Sequence, residues 1–266
     1  MEKKELSTFK NYVKFIRSNV FTKKDNSLPK ELLITEQNDI SIYYAPFDYI
    51  NYNAKIVICG ITPGYSQAIL ALNEANKYLN NDCKYETVLK AVKGVASFGG
   101  PMRHNLIEML DFIGIPEKIG IESSVELFGS RKDIVHYTSA LKYPVFNKGK
   151  NYNGTPSMIK NPLLKKQLDT ILKTEVTRIN NDAIYIPLGT KVEEALNYLI
   201  DSGYLKSSQV LDGIPHPSGA NAERIAYFLN KKKKNDLSKK TNAKIIDERR
   251  KYILAKVAAL NNMLDV

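Results

Sequence analysis

Apolar positions fall into distinct rhythms along this chain. Phe9, Tyr12, Val13, Phe15, Ile16 and Val20 recur at helical spacing and predict an amphipathic helix over residues 8–21, closed by the polar stretch TKKDNSLP. ISIYYAPFDYI, rich in aromatic and β-branched residues, predicts a strand interrupted at Pro46. Ile56, Val57, Ile58 and Cys59 then form an unbroken apolar run, the pattern of a strand buried on both faces of a parallel sheet. Gly60, Pro63 and Gly64 stop it abruptly. Ligands gather at the carboxyl ends of strands in open α/β sheets, so this segment is either a ligand loop or a strand that merely turns.

Residues 66–93 predict one or two helices with a polar break at NNDCKY. Ser97, Phe98, Gly99 and Gly100 make a loop, and Leu106, Met109, Leu110 and Ile113 mark a helix stopped by Gly114. DIVHYTSALKYPVF predicts a second buried strand, NKGKNYNGTP a mobile surface loop, and residues 162–176 a helix. DAIYIPLG is a third strand, and Thr190 with Glu193 spells a capping box for the helix KVEEALNYLI. A fourth strand, QVLDGI, runs into PHPSGANAERIAYFL, where Ser218 or Asn221 can cap a helix. A last helix, 243–261, offers Ile246, Ile253, Val257 and Leu260 to the body and leaves Lys244, Arg249, Arg250 and Lys251 in solvent.

Strands alternating with helices predict the α/β class, as a three-layer α/β/α sandwich on a central, mainly parallel four-stranded sheet. The expected organisation is a lead-in helix and strand over 1–53, an α/β domain over 54–230, and a basic segment with the C-terminal helix over 231–266.

Charge narrows the partners. The 39 Lys and Arg against 28 Asp and Glu leave +11, which points to a polyanion or an anionic surface. The two cysteines, Cys59 in the apolar strand and Cys83 in a polar stretch, supply neither a disulfide framework nor a zinc pattern. No metal and no cofactor are expected. No run approaches 18 apolar residues, and MEKKELSTFKNYVKFIRSNV lacks the apolar block of a signal peptide, so a cytoplasmic protein without membrane contact is expected. His104 reads as a surface or cap residue and His136 as a hydrogen-bonded core histidine.

Five motifs remain: GITPG at 60–64, SFGG at 97–100, HYTSALKYP at 136–144, PLG at 187–189 and HPSGAN at 216–221. In this order and spacing the chain resembles the uracil-DNA glycosylase superfamily over about residues 54–230. The first and last motifs are the specific ones, each at a predicted strand end. The resemblance implies a monofunctional glycosylase that flips a nucleotide, reads its base and hydrolyses the glycosidic bond through an oxocarbenium-like state, leaving an abasic site. It implies His216 as donor to the leaving base and Thr62 at the water-orienting position. It further implies Phe98 as a stacking ring, Ile61, Gly64, Tyr65, Gln67 and Ser139 around the base, and Gly60, Pro63, Ser218, Gly219 and Asn221 at the DNA phosphates. The implied partner is DNA, met by a monomer through a basic face including Lys148, Lys150 and Lys231 to Lys234.

Three departures from the family pattern bear on the substrate. Thr62 stands where many members carry Asp or Asn, and a hydroxyl can position water but is no base near neutral pH. Asp48, Gln67 and Asp133 are candidates to assist. Ser139 stands where the family often reads the base with Asn, and Gly64 where strictly uracil-specific members place a tyrosine. The base is therefore uracil, another damaged base, or a bulkier modified base such as a hypermodified cytosine of bacterial viruses, which would make the role phage defence. A catalytically silent DNA-binding member of the fold is the alternative outside enzymology. A nucleotide-binding protein using GITPG as a phosphate loop ranks last, for want of the Lys-Ser/Thr ending.

Overall fold

A computed structural model describes residues 3–23 and 27–261, so residues 24–26 of the predicted polar stretch lie outside the described residues. In chain order the elements are α1 (Lys3–Ser18), β1 (Leu33–Gln37), β2 (Ile40–Tyr43), β3 (Ile56–Gly60), α2 (Tyr65–Asn80), α3 (Tyr85–Ala96), α4 (Pro101–Phe112) and α5 (Ile115–Ile119). They continue with β4 (Val135–Ser139), β5 (Val145–Asn147), β6 (Lys150–Asn151), α6 (Pro162–Gln167), α7 (Lys173–Val176), β7 (Ile184–Pro187), α8 (Thr190–Asp201), α9 (Ala222–Phe228) and α10 (Ala243–Ala258). The protein is mixed α/β, with parallel and antiparallel pairing in separate sheets.

The chain divides into two compact units, each drawn from separated stretches. The first comprises Met1–Tyr52, Gly60–Ser97 and Tyr137–Ile179; the second comprises Asn53–Cys59, Phe98–His136 and Asn180–Val266. The stretch before β3 thus belongs to the first unit, and the basic segment with α10 to the second.

In the first unit an antiparallel sheet runs β1-β2-β5-β6. Phe9, Ile16, Ile42, Leu72, Leu79 and Leu89 are completely buried there. Polar side chains finish the docking of α1: Asn76 Nδ2 donates to Ile16 O at 2.8 Å and Asn19 O at 2.9 Å, satisfying carbonyls a helix end leaves open. The predicted mobile loop NKGKNYNGTP begins instead as a hairpin. β5 and β6 pair Asn147 with Lys150, and both turn residues, Lys148 (φ 51°) and Gly149 (φ 71°), adopt the left-handed conformation that suits the twist of a two-residue hairpin. The predicted helix 162–176 is α6 and α7 joined by a π-helical turn over Leu168–Leu172.

In the second unit β3 pairs in parallel with β7, from Ile56 opposite Ile184 to Cys59 opposite Pro187. The sheet order is β4-β3-β7, so β3 is central, and all five of its residues are buried, as the unbroken apolar run predicts. The predicted four-stranded sheet is corrected here. Its fourth strand, QVLDGI, is one parallel bridge between Val210 and Tyr185, and the parallel sheet has three strands. Gly213 (φ 128°) turns the backbone away from strand geometry, and Pro215 and Pro217 lack ladder donors, so pairing stops after Leu211 N–H reaches Tyr185 O at 2.8 Å. The strands predicted around residue 42 and at the end of DIVHYTSALKYPVF belong to the antiparallel sheet, because Pro144 separates β4 from β5.

The capping box at α8 is also corrected. Gly189 is the cap residue, without a side-chain bond, and the buried Glu193 carboxylate instead accepts from Gly213 N–H at 3.3 Å and from the Arg249 guanidinium. A carboxylate in the interior needs a cation more than a helix start needs a second cap. On α10, Ile246, Ile253 and Val257 are buried as predicted, but Arg249 and Arg250 are not merely solvated. Arg250 donates to Tyr227 O at 2.9 Å and binds Asp247 at 2.6 Å. Among the described residues no helix is long and apolar enough to cross a membrane.

Candidate functional site

The loop that leaves β3 is held by its neighbours almost atom by atom. Gly60 O and Ile61 O accept from Ala140 N–H (2.8 Å) and Leu141 N–H (2.9 Å). The Thr62 hydroxyl donates its one proton to Tyr143 O at 2.9 Å and accepts from Val145 N–H at 3.1 Å, leaving one lone pair. Gly64 N–H donates to Gln67 Oε1 at 3.0 Å while Gln67 Nε2 donates to Ala96 O at 3.1 Å, so the Gln67 amide closes the start of α2. The Tyr65 hydroxyl donates to Thr22 O at 3.1 Å. Tyr65 N–H donates to Asn151 Oδ1 at 2.8 Å. Two backbone donors of the loop, at Gly64 and Tyr65, are thus occupied, and Pro63 has none. Ser139, half-buried, ends β4.

Behind this loop in the same unit lies a buried polar cluster that sequence patterns did not reveal. Asp48, 2% exposed, accepts hydrogen bonds of 2.6 Å from both Tyr44 and Tyr143 hydroxyls. Burial pushes its carboxyl pKa up, against the pull of Lys142, the two tyrosine hydroxyls and Lys93. Burial, then the Asp48 charge, pushes both phenols well above their ordinary range. Lys142 pairs with buried Glu175 at 2.6 Å, and Lys93 Nζ donates to Tyr137 O at 2.7 Å. Both Asp48 oxygens are therefore engaged in structure, and the lysine of the third motif is an ion-paired core residue. Tyr143 is gripped twice, by its hydroxyl on Asp48 and by its carbonyl on Thr62. The signal in the sequence was the recurrence of Tyr44, Asp48, Lys142 and Tyr143 within otherwise apolar segments.

The second unit carries the histidine. Leu188 N–H donates to Cys59 O at 2.9 Å, which keeps the end of β7 beside the end of β3. Next to it, Gly189 has φ 90°, and a Cβ there would lie 3.2 Å from His216 Cβ. Only glycine meets both demands. Ser218 N–H donates to His216 Nδ1 at 3.2 Å, so Nδ1 is the acceptor and the ring proton resides on Nε2. Burial lowers the imidazole pKa, favouring the neutral ring. Nε2 has no hydrogen-bond partner among the described residues. From α4, Asn105 Nδ2 donates to Pro217 O at 2.9 Å and steadies the strap.

Asn221 is the cap residue of α9 and Ser218 that of the 3₁₀ turn before it, neither with a side-chain capping bond. Asn221 Nδ2 donates to Ser218 Oγ at 3.2 Å and Asn221 Oδ1 accepts from Arg224 at 2.7 Å, a side-chain chain that competes with capping. Gly219 opens the single 3₁₀ turn between them. Phe98 is buried, at φ 45°, a conformation uncommon outside glycine, with its carbonyl accepting from Arg103 Nε at 2.8 Å. Asp133 lies on the surface against Arg131 at 3.2 Å, His104 is exposed 3.7 Å from Glu108, and His136 is buried.

The basic residues divide into bound and open ones. Lys148 lies 3.5 Å from Asp39, Lys231 2.5 Å from Glu108 and Lys232 2.8 Å from Glu223. Glu223 also accepts from Ser238 and Thr241 hydroxyls, and these bonds, with Lys232 first, hold its pKa well below the usual carboxylate range. The lysine run is therefore anchored rather than trailing. Lys150, Lys233 and Lys234 are exposed. Among the described residues no group of His, Cys, Asp or Glu could hold a metal ion.

Over 244 residues the chain is 37% identical to a protein of Bacillus subtilis (strain 168), the uncharacterized protein YoxB, an alignment covering 91% of this chain and 94% of that one. No family model matches the chain, and no solved structure matches it.

Proposed function

From the premise that the chain belongs to the family of Bacillus subtilis YoxB, we propose that it is a DNA glycosylase that hydrolyses the bond between deoxyribose and a flipped-out uracil or other damaged or modified base. The observation that carries this reading is the His216 ring: half-buried, its Nδ1 accepting from the Ser218 amide so that the proton sits on Nε2, and that N–H without a hydrogen-bond partner among the described residues, while burial lowers its pKa and so favours the neutral form. A departing base accumulates charge on a carbonyl oxygen, and a prearranged neutral donor stabilises that charge without first surrendering a proton. The C1′–N bond breaks with its electron pair leaving on the base, the oxygen of water bonds to C1′, and the surplus water proton passes to solvent. The sugar centre becomes cationic before water arrives, so a strong base is not required.

In this reading Phe98 stacks on the base and the Ser218 hydroxyl meets a phosphate, both from the unit that carries His216, while Thr62 shapes the loop of its own unit. Lys150, Lys233 and Lys234 supply non-specific attraction to DNA for a monomer acting in the cytoplasm. The finer fold that goes with it is an α/β/α sandwich whose fourth strand is reduced to the Val210 bridge. The small residue at Gly64 permits a bulkier base, and hypermodified cytosine in viral DNA is the alternative substrate, with defence then the setting.

One observation supports a silent DNA binder instead: the Thr62 proton and one of its lone pairs are already committed. The discriminating experiment incubates pure protein with DNAs containing uracil, hypoxanthine, 5-hydroxymethylcytosine or its glucosylated form and assays alkali-labile abasic sites. The glycosylase reading expects cleavage of at least one, lost in His216→Ala with DNA binding retained. Binding without abasic sites in any of them selects the silent reading.

A further inference from the structure

The lysine run of the second unit is gathered by a single carboxylate. Glu223, in the first turn of α9, accepts from Lys232 Nζ at 2.8 Å, from Ser238 N–H at 3.1 Å, from Ser238 Oγ at 2.6 Å and from the Thr241 hydroxyl. One side chain thus draws both halves of the segment 231–241 onto the same helix turn. The ends are fixed separately. Lys231 N–H donates to Ala226 O at 2.8 Å, Asn230 Oδ1 accepts from Arg250 at 2.8 Å, and Asn242 Oδ1 accepts from Ile245 N–H at 3.2 Å where α10 begins. Between them the backbone makes a 3₁₀ turn over Lys234–Asp236. A surface stretch this rich in one charge would otherwise repel itself and stay extended.

These bonds sort the lysines into two sets. Lys231 and Lys232 are paired with Glu108 and Glu223. Lys233, Lys234, Lys239 and Lys240 are exposed, and none has an acidic partner among the described residues. Beside these lysines the segment exposes one carboxylate, Asp236. Cations held near one another on an ordered backbone repel, and phosphates laid against them relieve that repulsion. No large apolar side chain of the segment is exposed, so it offers nothing to enter a bilayer, which favours a phosphodiester backbone over a lipid surface.

Resting on the DNA partner of the reading above but not on its chemistry, we infer that Glu223 is the latch of a preformed DNA-backbone surface. By fixing Lys232, Ser238 and Thr241 it holds Lys233, Lys234, Lys239 and Lys240 ready for the phosphates of duplex DNA. The consequence has the opposite sign to charge counting. Removing an acid from a DNA-binding face ordinarily strengthens binding, whereas removing Glu223 loosens the lysines and adds the cost of ordering them to each association.

The test measures affinity for a duplex of ordinary bases, as a function of salt, for wild type, Glu223→Ala, Asp236→Ala and the double variant Ser238→Ala with Thr241→Val. The two acid variants remove the same charge, and the double variant removes none. At about 0.1 M salt, Glu223→Ala and the double variant should each bind about fivefold more weakly than wild type, and Asp236→Ala at least as tightly as wild type. Trypsin, which cuts after lysine, should nick the segment faster in the two weakened proteins than in wild type. Should Glu223→Ala fail to fold, the charge-neutral double variant decides alone. Glu223→Ala binding no more weakly than Asp236→Ala, or a double variant indistinguishable from wild type, overturns the inference. So does a wild type that binds vesicles of phosphatidylserine and phosphatidylcholine but not the duplex. The duplex holds no base to release, so the chemistry is judged apart: the expected affinities in a protein that forms no abasic sites would support the latch and overturn the glycosylase reading.

Discussion

Replacing Thr62 by valine keeps the volume of the side chain and deletes its hydroxyl, which separates a structural role from a catalytic one. In the structure that hydroxyl joins two backbone groups, Tyr143 O at 2.9 Å and Val145 N–H at 3.1 Å. Leaving a buried polar group without its partner costs about 1–3 kcal/mol, and both groups here are only partly buried, so each falls at the lower end. The expected loss for Thr62→Val is about 2 kcal/mol. For a chain of this size that lowers the melting midpoint by about 4–8 °C. Urea unfolding followed by circular dichroism measures the free energy directly, with Thr62→Ser as the control that keeps the hydroxyl and should stay within about 0.5 kcal/mol of wild type. Base release by the folded fraction of each variant completes the comparison. A Thr62→Val protein as stable as wild type would refute the assignment of the hydroxyl as a staple between the loop and Tyr143–Val145. If that variant were also unable to release base, the hydroxyl would instead belong to catalysis.

Four other outcomes follow from the second unit. His216 must be neutral to donate from Nε2 with Nδ1 accepting, so kcat/KM should be flat above about pH 6.5 and fall as pH drops through its lowered folded pKa, an acid limb absent in His216→Gln. The same lowering means the unfolded chain binds more protons in that window, so the stability from this residue is complete above about pH 6.5 and lost as pH falls toward the folded value, measurable as wild type minus His216→Gln in urea melts. Gly189→Ala adds a Cβ at φ 90°, 3.2 Å from His216, and should cost about 2 kcal/mol in unfolding free energy and at least tenfold in kcat. Replacing Lys233 and Lys234 together by alanine should flatten the slope of log affinity against log salt by about 2, with no change in the unfolding midpoint, if both meet phosphates.

Legibility followed the reach of each interaction. β3 was readable because four consecutive apolar residues need no distant partner to declare a strand buried on both faces, and the Gly189 stop was readable as backbone chemistry. The strand at QVLDGI was overestimated because its apolar residues do bury, as Val210, Leu211 and Ile214 show, yet burial is not pairing once Gly213 and Pro215 follow. The Glu193 capping box failed for the opposite reason: local spacing fitted, and a cation arriving from 56 residues away claimed the carboxylate. Gln67 and Tyr65, expected to face a base, have their polar atoms engaged at Gly64, Ala96 and Thr22. Asn151 escaped notice because nothing in KGKNYNG distinguishes a loop asparagine from one whose amide closes a helix start in another element. His216 was singled out by its motif, but its tautomer required the Ser218 amide to be located in space.

The packing of Gly213 on α10 carries a consequence for how the protein is made. A Cβ at Gly213 would lie 3.1 Å from Arg249 O and 3.3 Å from Ile253 Cβ, and the neighbouring Glu193 is neutralised by Arg249. The segment that delivers His216 is thus seated against a helix whose residues are translated later. A nascent chain that has emerged only as far as α9 has the histidine but not the surface that sets it. A chain shortened to end after α9 would carry every motif named here but lack the packing on Gly213 and the Arg249 partner of Glu193.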